Sequence, residues 1–236
     1  MPAETTRLFV ALRPDEPTGA LIRSYKRRLL AAAGPQLYAT DPPHTTLYLA
    51  EFAADRLCQV IRTASQLAGQ IEMPAVTIEG FHVFAGDPLT GANTLVCRFA
   101  DDSCDRLRQV QLRVLAALAP LHDPVATQRA LLPRWPALSG EQRRRGMLFG
   151  FPYVGGGWIP HLTIASVRQS EWANVAHVFQ VGPACRAGPG TSDDFARSRP
   201  ADGTYFPTLD VFELHGLKPV RLASFPLAGG PIGKVA

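Results

Sequence analysis

The sequence predicts an α+β fold built from a duplicated unit, and three observations carry that reading. First, His44-Thr45-Thr46-Leu47-Tyr48-Leu49 and His161-Leu162-Thr163-Ile164-Ala165 share one pattern: His-x-Thr followed by an aliphatic residue, directly after a proline (Pro43, Pro160). Second, short apolar runs that suit strands alternate with longer stretches whose apolar residues recur every three or four positions, as helices require. Third, the order strand, helix, His strand, helix, strand, strand, helix is followed by a second His strand, helix, strand and strand. The later half therefore approximately repeats the earlier one. The chain has 236 residues, 46% hydrophobic and 19% charged, which is enough apolar matter for a substantial core.

The elements follow in order. Residues 8–12 form a short apolar run, read as a buried strand. Asp15 stands as the N-cap of a first helix with Pro17 in its first turn, and Leu21, Ile22, Tyr25, Leu29 and Leu30 mark its apolar stripe. Gly34-Pro35 ends it. Asp41-Pro42-Pro43 is a stiff extended lead into the first His motif, because residues before proline avoid the helical region. A second helix is expected over residues 54–68 and a strand over 76–84, whose alternation changes phase at Gly80, the signature of a bulge. Leu95, Cys97 and Phe99 alternate along the next strand, and Asp101, Asp102 and Ser103 offer caps for a third helix that Pro120 ends. Residues 122–157, with several prolines, the run Arg143-Arg144-Arg145 and Gly155-Gly156-Gly157, read as an inserted linker or a lid beside the active site. After the second His strand come a helix over 170–179, a floppy surface loop over 182–203 rich in Gly, Pro, Ser and Asp, and closing strands over 206–215 and 218–227 around Gly216.

Strand alternation places His44, Thr46 and Tyr48 on one face and Thr45, Leu47 and Leu49 on the other. It likewise sends His161, Thr163 and Ala165 one way, and Leu162 and Ile164 into a core. Phosphodiester hydrolysis needs a base to activate water, an acid for the leaving oxygen, and donors for the phosphoryl oxygens. Histidine titrates near neutrality, so one imidazole can be neutral while its partner carries a proton. A threonine hydroxyl two residues on, on the same face, is placed to hydrogen-bond a phosphoryl oxygen. The scheme calls on no metal and no cofactor. The net charge of +4 and pI near 9.1 suit an anionic substrate. Cys58, Cys97, Cys104 and Cys185 form neither a CxxC pair nor a ligand cluster; Cys58 and Cys104 fall on apolar helical stripes and read as buried free thiols. With no signal pattern and no run of membrane-spanning length, a soluble, cytoplasmic protein without a membrane partner or an evident obligate protein partner is expected.

With its two His-x-Thr-aliphatic motifs and its opening strand Arg7-Leu8-Phe9-Val10-Ala11-Leu12, the chain resembles the 2H phosphoesterase superfamily, which includes bacterial 2′-5′ RNA ligases and 2′,3′-cyclic phosphodiesterases. The resemblance implies a duplicated two-lobe fold, antiparallel sheets with flanking helices around a central groove. The lobes would be about residues 1–121 and 158–236 with interchanged strands, and 122–157 inserted between them. It implies catalysis by His44 and His161, phosphate binding by Thr46 and Thr163, and a nucleotide or RNA-end substrate: a 2′,3′-cyclic phosphate or a 2′-5′ linkage, with ligation as the reverse reaction. For ring opening to a 2′-phosphate, His44 is assigned as general acid and His161 as general base; opening toward the other oxygen exchanges them. Many relatives carry an arginine shortly after the aliphatic position, whereas here Tyr48 follows Leu47, and Ala165-Ser166 follows Ile164, leaving the phosphate-facing cation unaccounted for. Arg168 and the Arg143 to Arg145 run are the candidates, the run reading first as a solvated helix face. Tyr48, Tyr153 and Trp158 are candidates for stacking a base, with core packing as the alternative for each. His82, His122, His177 and His215 lack a Thr or Ser two residues on and read as structural. Competing readings are a phosphodiesterase for another small cyclic or signalling nucleotide and a non-catalytic RNA-end-binding module.

Overall fold

A computed structural model describes residues 4–181 and 203–228. Its elements are β1 (Thr5–Arg13), α1 (Glu16–Ala33), β2 (Thr45–Ala53), α2 (Leu57–Ala68), β3 (Ile78–Phe84), β4 (Asn93–Phe99) and α3 (Asp101–Leu118), then α4 (Pro124–Leu131), α5 (Gly140–Phe149), β5 (His161–Val167), α6 (Trp172–Phe179), β6 (Thr208–His215) and β7 (Lys218–Pro226). Two antiparallel sheets result, ordered β2-β1-β6-β7 and β3-β4-β5. Each draws on both halves of the chain: β6 and β7 complete the sheet begun by β1 and β2, and β5 completes the one begun by β3 and β4. The two His-x-Thr strands are edge strands, β2 of the first sheet and β5 of the second, and they lie against one another.

Local chemistry sets most boundaries. Asp15 caps α1, its Oδ1 accepting from the Thr18 N–H at 3.1 Å, and Gly34 at φ 65° ends the helix. The bulge expected at Gly80 is present, with Glu79 the extra residue between the pairs Ile78–Phe99 and Gly80–Arg98. For α3 the cap is Ala100, and Asp101 and Asp102 lie in the first turn, where their charges complement the helix dipole instead of capping it. A single-turn 3₁₀ segment containing Pro120 closes α3, because proline cannot donate to another helical turn.

The main core fills the space between the sheets and their helices, with Leu8, Val10, Leu12, Leu47, Leu162 and Ile164 nearly or fully buried. A second, separate cluster of Phe9, Ala11 and Phe212 occupies the opposite face of the first sheet. Cys97 and Cys104 are buried, but Cys58 is exposed, a correction to the expected stripe. It sits in the first turn of α2, whose buried residues are Val60, Ala64, Leu67 and Ala68. Cys185, and the expected loop over 182–203 apart from Gly203, fall outside the described residues. Among the described residues no helix is long and apolar enough to cross a membrane.

Residues 122–157 fold into α4 and α5. Asp123 caps α4, and Ser139 and Gln142 form a reciprocal capping box at α5. The insert fastens to the outer edge of β2: the Asp123 N–H donates to the Glu51 carbonyl at 2.8 Å, and Thr127 Oγ1 accepts from the Glu51 N–H at 3.3 Å. It thereby covers backbone groups that an edge strand would otherwise leave open.

Candidate active site

Both motif histidines are held in the same way. His44 Nδ1 lies 2.7 Å from the Pro42 carbonyl and His161 Nδ1 lies 2.7 Å from the Ile159 carbonyl, each two residues back along an extended, proline-containing lead. A carbonyl only accepts, so Nδ1 carries the proton in both rings and Nε2 holds the lone pair of the neutral form. Neither Nε2 has a hydrogen-bond partner among the described residues. The His44 ring leans on the stacked pair Phe9 and Phe212, centroids 5.1 and 5.7 Å away, and the His161 ring meets Phe84 at 5.0 Å. Thr46 and Thr163 follow at i+2 on the same faces, half-buried like the histidines.

Immediately beyond each threonine the strand carries a bulge. Ala11 pairs with Thr46 and Val10 with Tyr48, so Leu47 is the extra residue. Val96 pairs with Thr163 and Leu95 with Ala165, so Ile164 is the extra residue there. An inserted residue reverses the alternation past it. Tyr48 and Ala165 consequently point away from the histidine face, a correction to simple period-two placement. Tyr48 is 1% exposed; its hydroxyl donates to the Phe149 carbonyl at 2.6 Å, and burial pushes its pKa up. It packs the core and is not available to stack a base. Ser166 takes the inward position instead, its Oγ 2.7 Å from Thr90 Oγ1 and 3.0 Å from Thr94 Oγ1, which itself lies 2.7 Å from Asp87 Oδ2.

The electrostatics depress both imidazoles. Burial pushes His44 down to about 4, assisted by the charges of Lys26 and His161 and opposed by the Pro42 carbonyl and Asp210. Burial likewise lowers His161, with His82 adding to the effect and the Ile159 carbonyl and Asp87 opposing it. The two imidazoles stand where the adjoining strands β2 and β5 begin. Both are neutral at pH 7 in the free protein, and an anionic phosphodiester bound between them would favour the protonated form of either. Lys26, 5% exposed on α1, donates to the Tyr38 carbonyl at 2.5 Å, and burial lowers its pKa to about 8 against the pull of Asp41.

The remaining candidates lie elsewhere. Trp158 is 3% exposed in the core. Tyr153 is partly buried, its carbonyl bound by Gln111 and its hydroxyl buried without a partner, and burial pushes that hydroxyl up to about 12. Arg168 is exposed beyond the far end of β5, roughly 20 Å along the strand from His161 at about 3.3 Å per residue. In α5, Arg144 and Arg145 pair with Glu141, and Arg143 bonds the Trp135 carbonyl, so the basic run is a paired helix face. Two arginines stand beside the histidines that sequence alone could not place. Arg98 pairs in register with His161, and Arg13 follows the Leu12–Thr45 pair, opposite His44. Both guanidinium groups are held by carboxylates: Arg13 by Asp210 at 3.1 Å, Arg98 by Glu79 at 2.8 Å and Asp101 at 3.1 Å. Finding them required knowing which strands are neighbours, which depends on long-range pairing.

Two antiparallel sheets meeting at edge strands, each strand opening on His-x-Thr, define a protein of the two-histidine phosphoesterase class. The chain belongs to the 2′-5′ RNA ligase superfamily, whose family model matches residues 14–186. Its fold is shared with the apo crystal structure of Escherichia coli LigT, at a TM-score of 0.50 and 15% identity, covering 96% of this chain and 99% of that chain. TT0787 of Thermus thermophilus is similar at a TM-score of 0.51 and 19% identity, covering 94% of this chain and 98% of that one. At these identities the likeness is one of fold. No curated protein matches the sequence.

Proposed function

We propose that this protein is a phosphodiesterase that opens 2′,3′-cyclic phosphates or cleaves 2′-5′ linkages of RNA or nucleotides, with His44 and His161 as the proton-transfer pair and Thr46 and Thr163 as phosphoryl-oxygen donors. One observation carries it. Two imidazoles with Nδ1 tied to a carbonyl and Nε2 free, each followed at i+2 by a threonine, stand on abutting edge strands. For opening to a 2′-phosphate, His161 Nε2 takes a proton from water as its oxygen bonds to phosphorus. The P–O3′ bond breaks, and protonated His44 gives its Nε2 proton to the leaving 3′ oxygen. In the 2′-5′ ligation direction the 5′-hydroxyl of a second RNA end takes the place of water: His161 Nε2 takes its proton as the 5′ oxygen bonds to phosphorus, the P–O3′ bond breaks, and the 3′ oxygen again leaves with the His44 proton.

The test is hydrolysis of the four 2′,3′-cyclic nucleotides in excess EDTA, with products resolved as 2′- or 3′-phosphates. His44→Ala and His161→Ala should each lose about 10²–10⁴-fold in kcat, the usual worth of one general acid or base. Full activity in either variant sinks the two-imidazole reading. Wild type inactive on all four would move the substrate to 2′-5′ oligonucleotides or to another cyclic nucleotide.

A further inference from the structure

Gln111 on α3 is fully buried, and its amide touches the backbone on both sides of the candidate site. Nε2 donates to the Leu47 carbonyl at 3.2 Å and to the Tyr153 carbonyl at 2.8 Å, while Oε1 accepts from the Gly155 N–H at 3.0 Å. Leu47 is the bulged residue directly after Thr46, and a bulged residue has no ladder partner to serve it. Gly155, at φ 56°, begins the turn that leads through Trp158 to His161. We propose that Gln111 is a positioning residue that sets the spacing of the two imidazoles by tying the backbone behind Thr46 to the approach of His161. The proposal rests on the two-histidine reading above.

The reason lies in the topology. β2 and β5 belong to different sheets, so no ladder between them fixes the separation of His44 from His161. Hydrogen bonds cross the gap on both sides of the pair. The Ser166 N–H donates to the Leu37 carbonyl at 2.8 Å, joining the chain before His44 to the chain after His161. The Arg168 N–H backs up that bond by donating to Gln36 Oε1 at 3.1 Å. Gln111 joins the chain after His44 to the chain before His161. Together they bracket the pair from both ends; Gln111 is the tie on the side before His161, and removing it loosens that side while the Leu37–Ser166 side stays held. In-line transfer needs both imidazoles placed at once, and a displacement of about 1 Å can cost 10²-fold.

Gln111→Met keeps the volume and removes all three hydrogen bonds. On the best cyclic nucleotide it should lower kcat at least ~10-fold with little change in KM. Val114→Ala, which loosens the fully buried face of the same helix without touching either tie, should stay within about twofold at a comparable fall in Tm. If Gln111 acts through the pair, Gln111→Met costs almost nothing further once His161 is alanine, because independent effects multiply and effects through one unit do not. A full multiplicative loss in that background, or a kcat no lower than that of Val114→Ala, overturns the proposal. Gln111→Asn, which keeps an amide too short to span the three contacts, serves if the methionine variant does not fold. An NMR titration of His44 needs no turnover. His161→Ala should raise the His44 pKa in wild type and raise it less in the Gln111→Met background, whereas equal shifts overturn the assignment. Wild type inactive on every cyclic nucleotide would sink the substrate reading, and the titration would still decide for or against Gln111.

Discussion

His44 sits at the meeting of three influences that a strand histidine on an open surface would not feel together: burial, a buried lysine, and its counterpart imidazole. All three disfavour the imidazolium, and His161 is lowered as well. The free protein must hold one ring protonated and one neutral to be competent. The bell-shaped pH profile of kcat/KM is therefore expected to peak on the acid side of 6.5, the ordinary value for both rings. The kcat profile should lie to the alkaline side of it, because bound phosphate favours protonation. Lys26→Met removes one of the charges lowering His44, so the limb of kcat/KM that reports His44 should move to higher pH while the other limb stays in place. Profiles in wild type and this variant measure all three shifts, and a peak well above the ordinary histidine value would contradict the burial argument. Tyr48 tests a different attribution. Tyr48→Phe leaves the Phe149 carbonyl without its donor and should cost about 1 kcal/mol of stability by denaturant midpoint. It should leave kcat and KM unchanged, since the ring never meets substrate.

At the scale of the element, the paired bulges are the feature with consequences. A regular β2 would turn Tyr48 toward the histidine face and Leu47 away from it; the extra residue lets the strand present His44 and Thr46 outward and bury both Leu47 and Tyr48. The same device in β5 buries Leu162, Ile164 and Ala165 while His161 and Thr163 face the site. Bulges also release a carbonyl from the ladder, and in β2 that carbonyl is the one Gln111 holds. The helix leading toward the first motif is anchored just as locally. Asp15 caps α1 through one carboxylate oxygen and accepts from the Tyr205 N–H through the other at 3.2 Å. Asp15→Ala should lower stability by about 1–2 kcal/mol without altering the slope of the denaturant transition.

For the whole molecule, depressed pKa values translate into a pH dependence of stability with a definite sign. Between about pH 4 and 6.5 the folded state binds fewer protons than the unfolded chain, because His44 stays neutral while an unfolded histidine charges. Stability thus rises with pH across that window and falls on acidification; lowered His161 adds in the same direction. Lys26 acts likewise between about 8 and 10.5, where the folded state has already lost its proton and the unfolded chain has not. Denaturant midpoints should climb from about pH 4 to 6.5; above about 8 the Lys26 gain is opposed by Cys97, Cys104, Tyr48 and Tyr153, whose raised pKa values lower stability as the unfolded chain loses those protons first. Lys26→Met should remove the Lys26 contribution above about pH 8 and also shrink the acid-side rise, because it lifts the His44 pKa toward its ordinary value; an unchanged profile would place both effects elsewhere.

Features that depend on near neighbours are legible in the chain alone: the Asp15 cap, the Gly34 stop, the Gly80 bulge, the burial of Leu47 and Ile164, and the two His-x-Thr signatures. Each follows from spacing or backbone preference within a few residues. Features that depend on residues far apart emerge only when the chain folds. Regular alternation gives no warning of the bulges at Leu47 and Ile164, which form only against the registers of β1 and β4, and so it misplaces Tyr48. Arg13 and Arg98 come to lie beside the histidines through strand pairing, and Asp210, Glu79 and Asp101 then claim them. In the sequence Gln111 is one polar residue on a helical stripe. Only the packing of α3 against β2 and against the turn at Gly155–Gly157 brings the backbone of Leu47, Tyr153 and Gly155 within reach of its amide, because hydrogen bonds across so many residues exist only once the fold has closed around them.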